Sequence, residues 1–248
     1  MTNIRGFIGC RLGSTRVKFK NLSLIDNKPL FTYLTNSALS SSKINSLYLN
    51  TDSQYIVDIA KEIYKENLNY YIRPSHLGSS NAKLDDFVFD FMINFPSDIT
   101  IFFNPCCLFL KTETIDKAID YFLNNNLDSL CASRVAQTLC FLENRPLNFS
   151  FKTSQPRTQD LKPIHCQTCA FFIWKTSSFV EEYKKNSSAN FNGKFESYGL
   201  SSLEAIDIDT EDDFLIAESI LLGKKRKFSL TYHNHVDDLI KKGLISPN

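Results

Sequence analysis

Short apolar runs alternate with amphipathic stretches along most of the chain, and their spacing predicts its elements. Residues 4–8 form an apolar run that stops at Gly9 and gives way to the polar stretch Cys10-Arg11-Leu12-Gly13-Ser14-Thr15-Arg16, the pattern of a buried strand feeding a loop. A turn at Asn27-Lys28-Pro29 precedes a helix-compatible segment over 30–40. A strand is predicted over 46–50, followed by Thr51-Asp52-Ser53, residue types that favour helix N-termini, with Asp52 as the cap. The helix they open carries Tyr55, Ile56, Ile59, Ala60 and Ile63 on one stripe. A short strand over 70–72 runs into Arg73-Pro74. The continuous apolar run at 99–103 predicts a central strand covered on both faces. Asn104-Pro105 follows it, then a helix with Ile115, Ala118, Ile119, Phe122 and Leu123 on one face, then a strand over 129–133. This alternation predicts an α/β fold with a mainly parallel sheet. Residues 135–165 break the rhythm with Pro146, Pro156, Pro163 and short alternating pieces, and read as an inserted β-rich arm. Strand-like pieces resume at 170–174 and 205–209, with a helix over 211–222.

Composition narrows the partners. The 248 residues carry 28 Lys plus Arg against 27 Asp plus Glu, a net charge of +1. Long nucleic acid rewards a clear basic excess through counterion release, so no such partner is expected, whereas a small anionic ligand needs only local cations. Length and apolar content suit one domain over 1–248, with the arm as its insertion. The seven cysteines are odd in number and mostly in apolar context, which suits a reducing compartment. No apolar run reaches the about 18 residues of a membrane span, so a soluble, cytoplasmic protein with no membrane partner is expected. Lys224-Lys225-Arg226-Lys227 reads as a solvated helix end and turn.

Two clusters could carry chemistry. In Ile206-Asp207-Ile208-Asp209-Thr210-Glu211-Asp212-Asp213 the isoleucines of an extended chain point one way and Asp207 and Asp209 the other. Thr210 and Asp213 fit a capping box, so a helix starts at once and the carboxylates fall at the C-terminal edge of the sheet, where α/β folds place ligands. A carboxylate pair suits Mg²⁺ shared with phosphate oxygens; equally, one Asp could cap the helix while the other is solvated. The second cluster is the loop over 9–21, where glycines allow close backbone approach and Arg11, Arg16, Lys18 and Lys20 supply positive charge. It suits a polyphosphate but matches neither a dinucleotide fingerprint nor a P-loop, and a basic surface loop is an equal reading. Cys166-x-x-Cys169 beside His165 lacks a second cysteine pair, so a buried strand is favoured over zinc. No cysteine has the context of a nucleophile. His233 and His235 read as surface residues.

The order of these motifs resembles the N-acylneuraminate cytidylyltransferase family over almost the whole chain. The resemblance is carried by Arg11-Leu12-Gly13-Ser14-Thr15-Arg16 with Lys20-Asn21, by Leu49-Asn50-Thr51-Asp52-Ser53, by Ile72-Arg73-Pro74 with Leu77, by Asn104-Pro105, by Gln155-Pro156-Arg157 and by Ile206-Asp207-Ile208-Asp209-Thr210. It implies a three-layer, Rossmann-like nucleotidyltransferase fold that transfers CMP from CTP to a sialic-acid-like (nonulosonic or keto-deoxy) sugar acid and releases pyrophosphate. Residue by residue, it implies that Arg11 and Lys20 hold phosphates, that Asn21 and Arg73 contact the nucleotide, that Asn104 contacts the sugar, and that Asp207 and Asp209 bind Mg²⁺. The arm then resembles a dimerisation element of a homodimer whose Arg157 reaches the partner's active site.

The chain departs from the family pattern at Thr15, Ser80, Asn104, Cys106-Cys107, Cys140 and Thr168-Cys169, mostly on the sugar side; Ser14-Thr15-Arg16 is similar to the Kdo cytidylyltransferases. The competing expectation is a divergent homologue that binds nucleotide or sugar without turnover. The intact Asp207/Asp209 pair with Arg11 and Lys20 favours the enzyme.

Overall fold

Ile99–Phe103, all five residues buried, lies in the interior of a seven-stranded sheet. The computed structural model describes residues 2–225 and 231–246. In chain order its elements are β1 (Ile4–Cys10), a hairpin of β2 (Leu24–Ile25) and β3 (Lys28–Pro29), α1 (Leu30–Leu39), β4 (Ser46–Thr51), α2 (Gln54–Tyr64), β5 (Asn69–Ile72), α3 (Leu84–Asn94), β6 (Ile99–Phe103), α4 (Thr112–Asn124) and β7 (Ser129–Ala136). They continue with a second hairpin, β8 (Phe141–Leu142) and β9 (Arg145–Pro146), then β10 (Ile164–Lys175), α5 (Thr176–Asn186), β11 (Phe195–Leu200), α6 (Glu211–Lys224) and α7 (Asn234–Lys241). The sheet runs β11-β7-β10-β6-β1-β4-β5. Only β10 is antiparallel to its neighbours, β6 and β7; every other pairing in this sheet is parallel.

Side-chain alternation along the strands makes the three layers. Ile8, Leu49 and Ile101 face one way and pack under α1, α2 and α4 through Phe31, Ala60 and Ile119. Phe7, Phe102 and Trp174 face the other way, against Phe91 of α3 and Phe179 of α5. A smaller third core joins Ile25 of the first hairpin, Leu108 and Phe109 after β6, and Ile208 with Ala217 of α6.

Several elements differ from the pattern read off the sequence. On α2 the buried residues are Ile56, Val57, Ala60 and Tyr64, while Tyr55 and Ile63 are exposed. The helix is turned by about one position because Tyr64 is drawn inward, its hydroxyl donating to Thr32 O at 3.2 Å and Asn36 Oδ1 at 3.0 Å. On α4, Leu123 is exposed. Residues 205–209 form no strand; Ala205 ends a turn and the segment passes beside the loop after β6, where Ile208 N donates to Cys106 O at 3.2 Å, and the sheet has β11 at its edge instead. α3, α5 and β11 had no counterpart in the periodic pattern.

The arm is an excursion between paired strands. Val135 and Ala136 still pair with His165 and Ile164, so the main sheet reaches into both ends of 135–165. Between them sits the β8/β9 hairpin, whose turn residues Glu143 and Asn144 both have positive φ, as its tight connection requires. Phe141, Leu147 and Phe151 are exposed on it, and the rings of Phe141, Phe149 and Phe151 cluster. Cys166 and Cys169 lie on β10, and no group of three or more potential metal ligands occurs among the described residues. No described helix is long and apolar enough to cross a membrane. His233 and His235 are exposed, and Lys224 ends α6; Arg226 and Lys227 lie outside the described residues.

Candidate active site

A cavity of about 430 Å³ opens at the C-terminal ends of the parallel strands. Gly9 of β1, Arg73 just after β5 and Asn104 just after β6 contribute to its wall, and the segment before α6 brings Asp207 and Asp209 to it. At Gly9 the backbone passes so close to Phe102 that a Cβ would come 2.5 Å from its ring. Arg11, Arg16, Lys20, Asn21, Arg73, Asn104, Asp207 and Asp209 all line this one space.

Helix capping decides between the two readings of the carboxylates. Thr210 Oγ1 accepts from Asp213 N, and Asp213 Oδ2 accepts from Thr210 N at 2.8 Å and Asp209 N at 2.9 Å. The cap is therefore Thr210 with Asp213, which leaves Asp207 and Asp209 free of that duty. Asp209 Oδ1 accepts from Arg16 at 2.7 Å and from Lys20 Nζ at 3.1 Å, and Lys20 Nζ also donates to Ile208 O at 2.6 Å. Asp207 has no such cation. Among the described residues its hydrogen-bond donor is the amide of Asn104, 3.4 Å from both its oxygens. Burial, then the like charge of Asp209, push its carboxyl up to about 6, against the pull of Lys20 and Arg16. Burial opposes the charge on Lys20, but Cys106 and Asp209 beside it outweigh that and raise its pKa.

The basic loop is tied down from behind. Asn21 is buried, its amide donating to Arg11 O at 3.0 Å, so it holds the loop closed from the cavity wall. Asp52 does not cap α2: the helix has no side-chain cap bond, and Asp52 Oδ1 accepts instead from Leu12 N at 3.0 Å. Arg73 is 4% exposed; its guanidinium donates to Asn50 O and Oδ1 at 3.2 Å and lies 5.0 Å over the ring of Phe87. Burial lowers its pKa, and Asp52 opposes that. Nε of Arg73 and Nδ2 of Asn50 are buried without a hydrogen-bond partner among the described residues.

On the other side the cavity is neutral. Asn104 accepts from Cys106 N at 3.2 Å through Oδ1, which shapes the turn after β6. Cys106 is buried, its thiol pushed up to about 12, mainly by burial. Cys169 lines the cavity from β10 with its thiol pKa raised by burial, then by Asp207 and Asp209, so it is a poor nucleophile. Arg157 is not part of this space. It is exposed on the arm and bonds Asp160 at 2.8 and 3.1 Å.

Three contributors had weaker sequence signals. Arg16 stood in the basic loop but was not singled out; Phe87 lies in α3, whose apolar residues fall on most sides of the helix; and Asn50 is a polar residue in a buried strand, a signal that could have been taken.

A family model described as cytidylyltransferase matches residues 6–172. A CMP-N,N'-diacetyllegionaminic acid synthase of Legionella pneumophila is 25% identical over 88% of this chain and 96% of that protein. A pseudaminic acid cytidylyltransferase of Campylobacter jejuni is 24% identical over 85% of this chain and 93% of that protein. An N-acylneuraminate cytidylyltransferase of Streptococcus agalactiae serotype V is 22% identical over 84% of this chain, which spans only 51% of that longer protein. Among solved structures, a CMP:2-keto-3-deoxy-manno-octonic acid synthetase complexed with CTP superposes with a TM-score of 0.67 at 13% identity, covering 90% of this chain and all of that one. A cytidylyltransferase from Leptospira borgpetersenii gives 0.60 at 16% identity, over 98% and 96% of the two chains. With the α/β nucleotidyltransferase fold and the family match over 6–172, the chain belongs to the cytidylyltransferase family.

Proposed function

We propose that the protein transfers CMP from CTP to a nonulosonic or related keto-deoxy sugar acid, with Mg²⁺ as cofactor and release of pyrophosphate. The observation that carries this is the single cavity in which the cations Arg11, Arg16, Lys20 and Arg73 face the carboxylates Asp207 and Asp209. The names of the relatives supply the substrate class, since legionaminic, pseudaminic and neuraminic acid derivatives are all sugar acids of this kind.

The donor set fits the ion. Two carboxylates freed from capping offer only hard oxygens, one of them is raised toward neutrality by burial and then by its neighbour's charge, and one or two carboxylates with substrate phosphates are the donors that magnesium takes. Asp207 and Asp209 would hold it, and when bound it neutralises charge on the triphosphate. Arg11 and Lys20 stabilise the charge that develops on the departing pyrophosphate. The anomeric hydroxyl attacks the α-phosphorus in line with that leaving group, the new oxygen–phosphorus bond forming as the bond to pyrophosphate breaks. The hydroxyl proton passes to a carboxylate of the pair. Asn104, beside Asp207, orients the sugar acid. Positioning and charge stabilisation supply most of the acceleration.

The exposed aromatic cluster on the arm suits contact with a second copy, and a homodimer would carry Arg157, remote from its own cavity, to its partner's. The reading is tested by incubating purified protein with Mg²⁺, each NTP and a panel of nonulosonic and keto-deoxy acids, and measuring pyrophosphate. Release is expected only with CTP and one or a few of the acids; none under conditions where a family relative works would overturn it.

A further inference from the structure

The end of β4 holds three parts of the cavity wall at once. Asn50 accepts the Arg73 guanidinium through two oxygens, and Thr51 O accepts the backbone N–H of Arg73 at 2.8 Å. The next residue, Asp52, lies behind the wall and does not line the cavity. Its Oδ1 takes the N–H of Leu12, which sits between the cavity-lining Arg11 and Gly13. Its other face is pressed against the turn Ser75–Gly78: a Cβ built on Gly78 would overlap Cβ, Cγ and Oδ2 of Asp52. That turn supplies Leu77 to the cavity, and Ser79 and Ser80 follow it.

We propose that Asp52 is a positioning residue for nucleotide binding, a clamp that fixes the basic loop relative to the Ser75–Gly78 turn and so sets the width of the nucleotide half of the cavity. A short side chain ending in an acceptor oxygen is suited to this, because it reaches the loop N–H at 3.0 Å while its stem packs against the turn. Helix capping does not account for Asp52, since α2 takes no side-chain cap. Gly78 is small because the clamp occupies the place where its side chain would lie. Loosening the clamp frees Arg11 and the glycine backbone from their positions without removing any group that touches substrate.

The inference rests on the cytidylyltransferase reading, and its test separates the two. Asp52→Ala, Asp52→Asn and Gly78→Ala are compared with wild type for CTP binding by calorimetry and for KM of each substrate. Asp52→Ala is expected to weaken CTP binding and raise its KM about tenfold, with the sugar-acid KM changed less than about twofold. Asp52→Asn, which keeps an acceptor for Leu12 N–H, recovers most of the loss. Gly78→Ala leaves the carboxylate in place but pushes it aside, and shares the CTP-selective defect. Wild-type CTP affinity in Asp52→Ala overturns the clamp, as does an equal loss for both substrates that Asp52→Asn fails to rescue. If wild-type protein binds no CTP, the functional reading falls. The clamp is then read from hydrogen exchange at the Leu12 amide, faster in Asp52→Ala and near wild type in Asp52→Asn, an unchanged rate overturning it.

Discussion

On one side of the cavity Arg73 is buried under Phe87 and bonded to Asn50, Asn21 closes the basic loop on Arg11, and Asp52 braces that loop from behind. On the other side Asn104, Cys106 and Cys169 present an amide and two neutral thiols, with no cation among them. The first side is buried, bonded and charged, which suits the triphosphate of the proposed reaction. The second is small and has no cation, so under the same proposal it would discriminate the acceptor by shape and by its amide and thiol surface. Charge held in place by buried bonds is concentrated on one wall, and the other wall offers only neutral groups.

The largest blow to this division is expected where the halves meet. Asp209→Ala removes the carboxylate that bonds both Arg16 and Lys20, and turnover should fall at least about a hundredfold while circular dichroism stays native. Near-wild-type rates would show that the carboxylate pair is not where charge is managed. Arg157→Ala should cost about tenfold, because a sugar carboxylate would lose the cation that its own protomer's neutral wall lacks. Mixing that variant with Asp209→Ala should restore part of the activity if Arg157 works across a dimer; no restoration, or a fully active monomer by light scattering, argues that it works elsewhere. Cys169→Ala should change the sugar-acid KM by about threefold and leave the CTP KM alone. An effect confined to CTP would mean the two sides have been assigned the wrong way round.

The smallest effect concerns stability without ligand. The carboxyl of Asp207 rises from 3.8 to about 6 on folding, so the native state favours its neutral form. A raised carboxylate costs stability above the ordinary value, increasingly as pH climbs from about 4 through 6 and fully beyond. Asp207→Asn should therefore raise the melting temperature of ligand-free protein at pH 7.5 by a few degrees, on the order of 1–2 kcal/mol, with the gap closing toward pH 4. A gap that widens on acidification would reverse the sign of the shift.

Much of this was legible in the residues. Ile206, Asp207, Ile208 and Asp209 kept their alternation although no ladder forms there, because alternation belongs to an extended chain and does not need a partner strand. Thr210 with Asp213 announced the helix start, and the prolines announced the arm. Asp52 misled because the residue types that cap helices also clamp loops, and only the position of Leu12 tells them apart. α3 hid because its Leu84, Phe87, Phe89, Phe91 and Met92 fall on most of its sides, some facing the sheet and some the cavity or α5. β11 (FESYGL) has no apolar run to mark it; its place at the sheet edge follows from pairing with β7. Arg157 is legible only as a resemblance, since in this chain it is exposed on the arm, bonded to Asp160 and outside the cavity.

The tight passage of Gly9 over the Phe102 ring has a consequence for how this sequence can drift. A methyl group at position 9 would have to displace the Phe102 ring, which packs against Phe7 and Phe87 in the core on one face of the sheet, so any side chain there is resisted by that packing. Four residues on, Gly13 has nothing within 4 Å of where its Cβ would lie. Random substitution followed by selection for CTP binding should leave position 9 almost empty of alternatives and position 13 open to small side chains. The glycine at the end of the strand is held by packing within the protein, and the one in the basic loop is not.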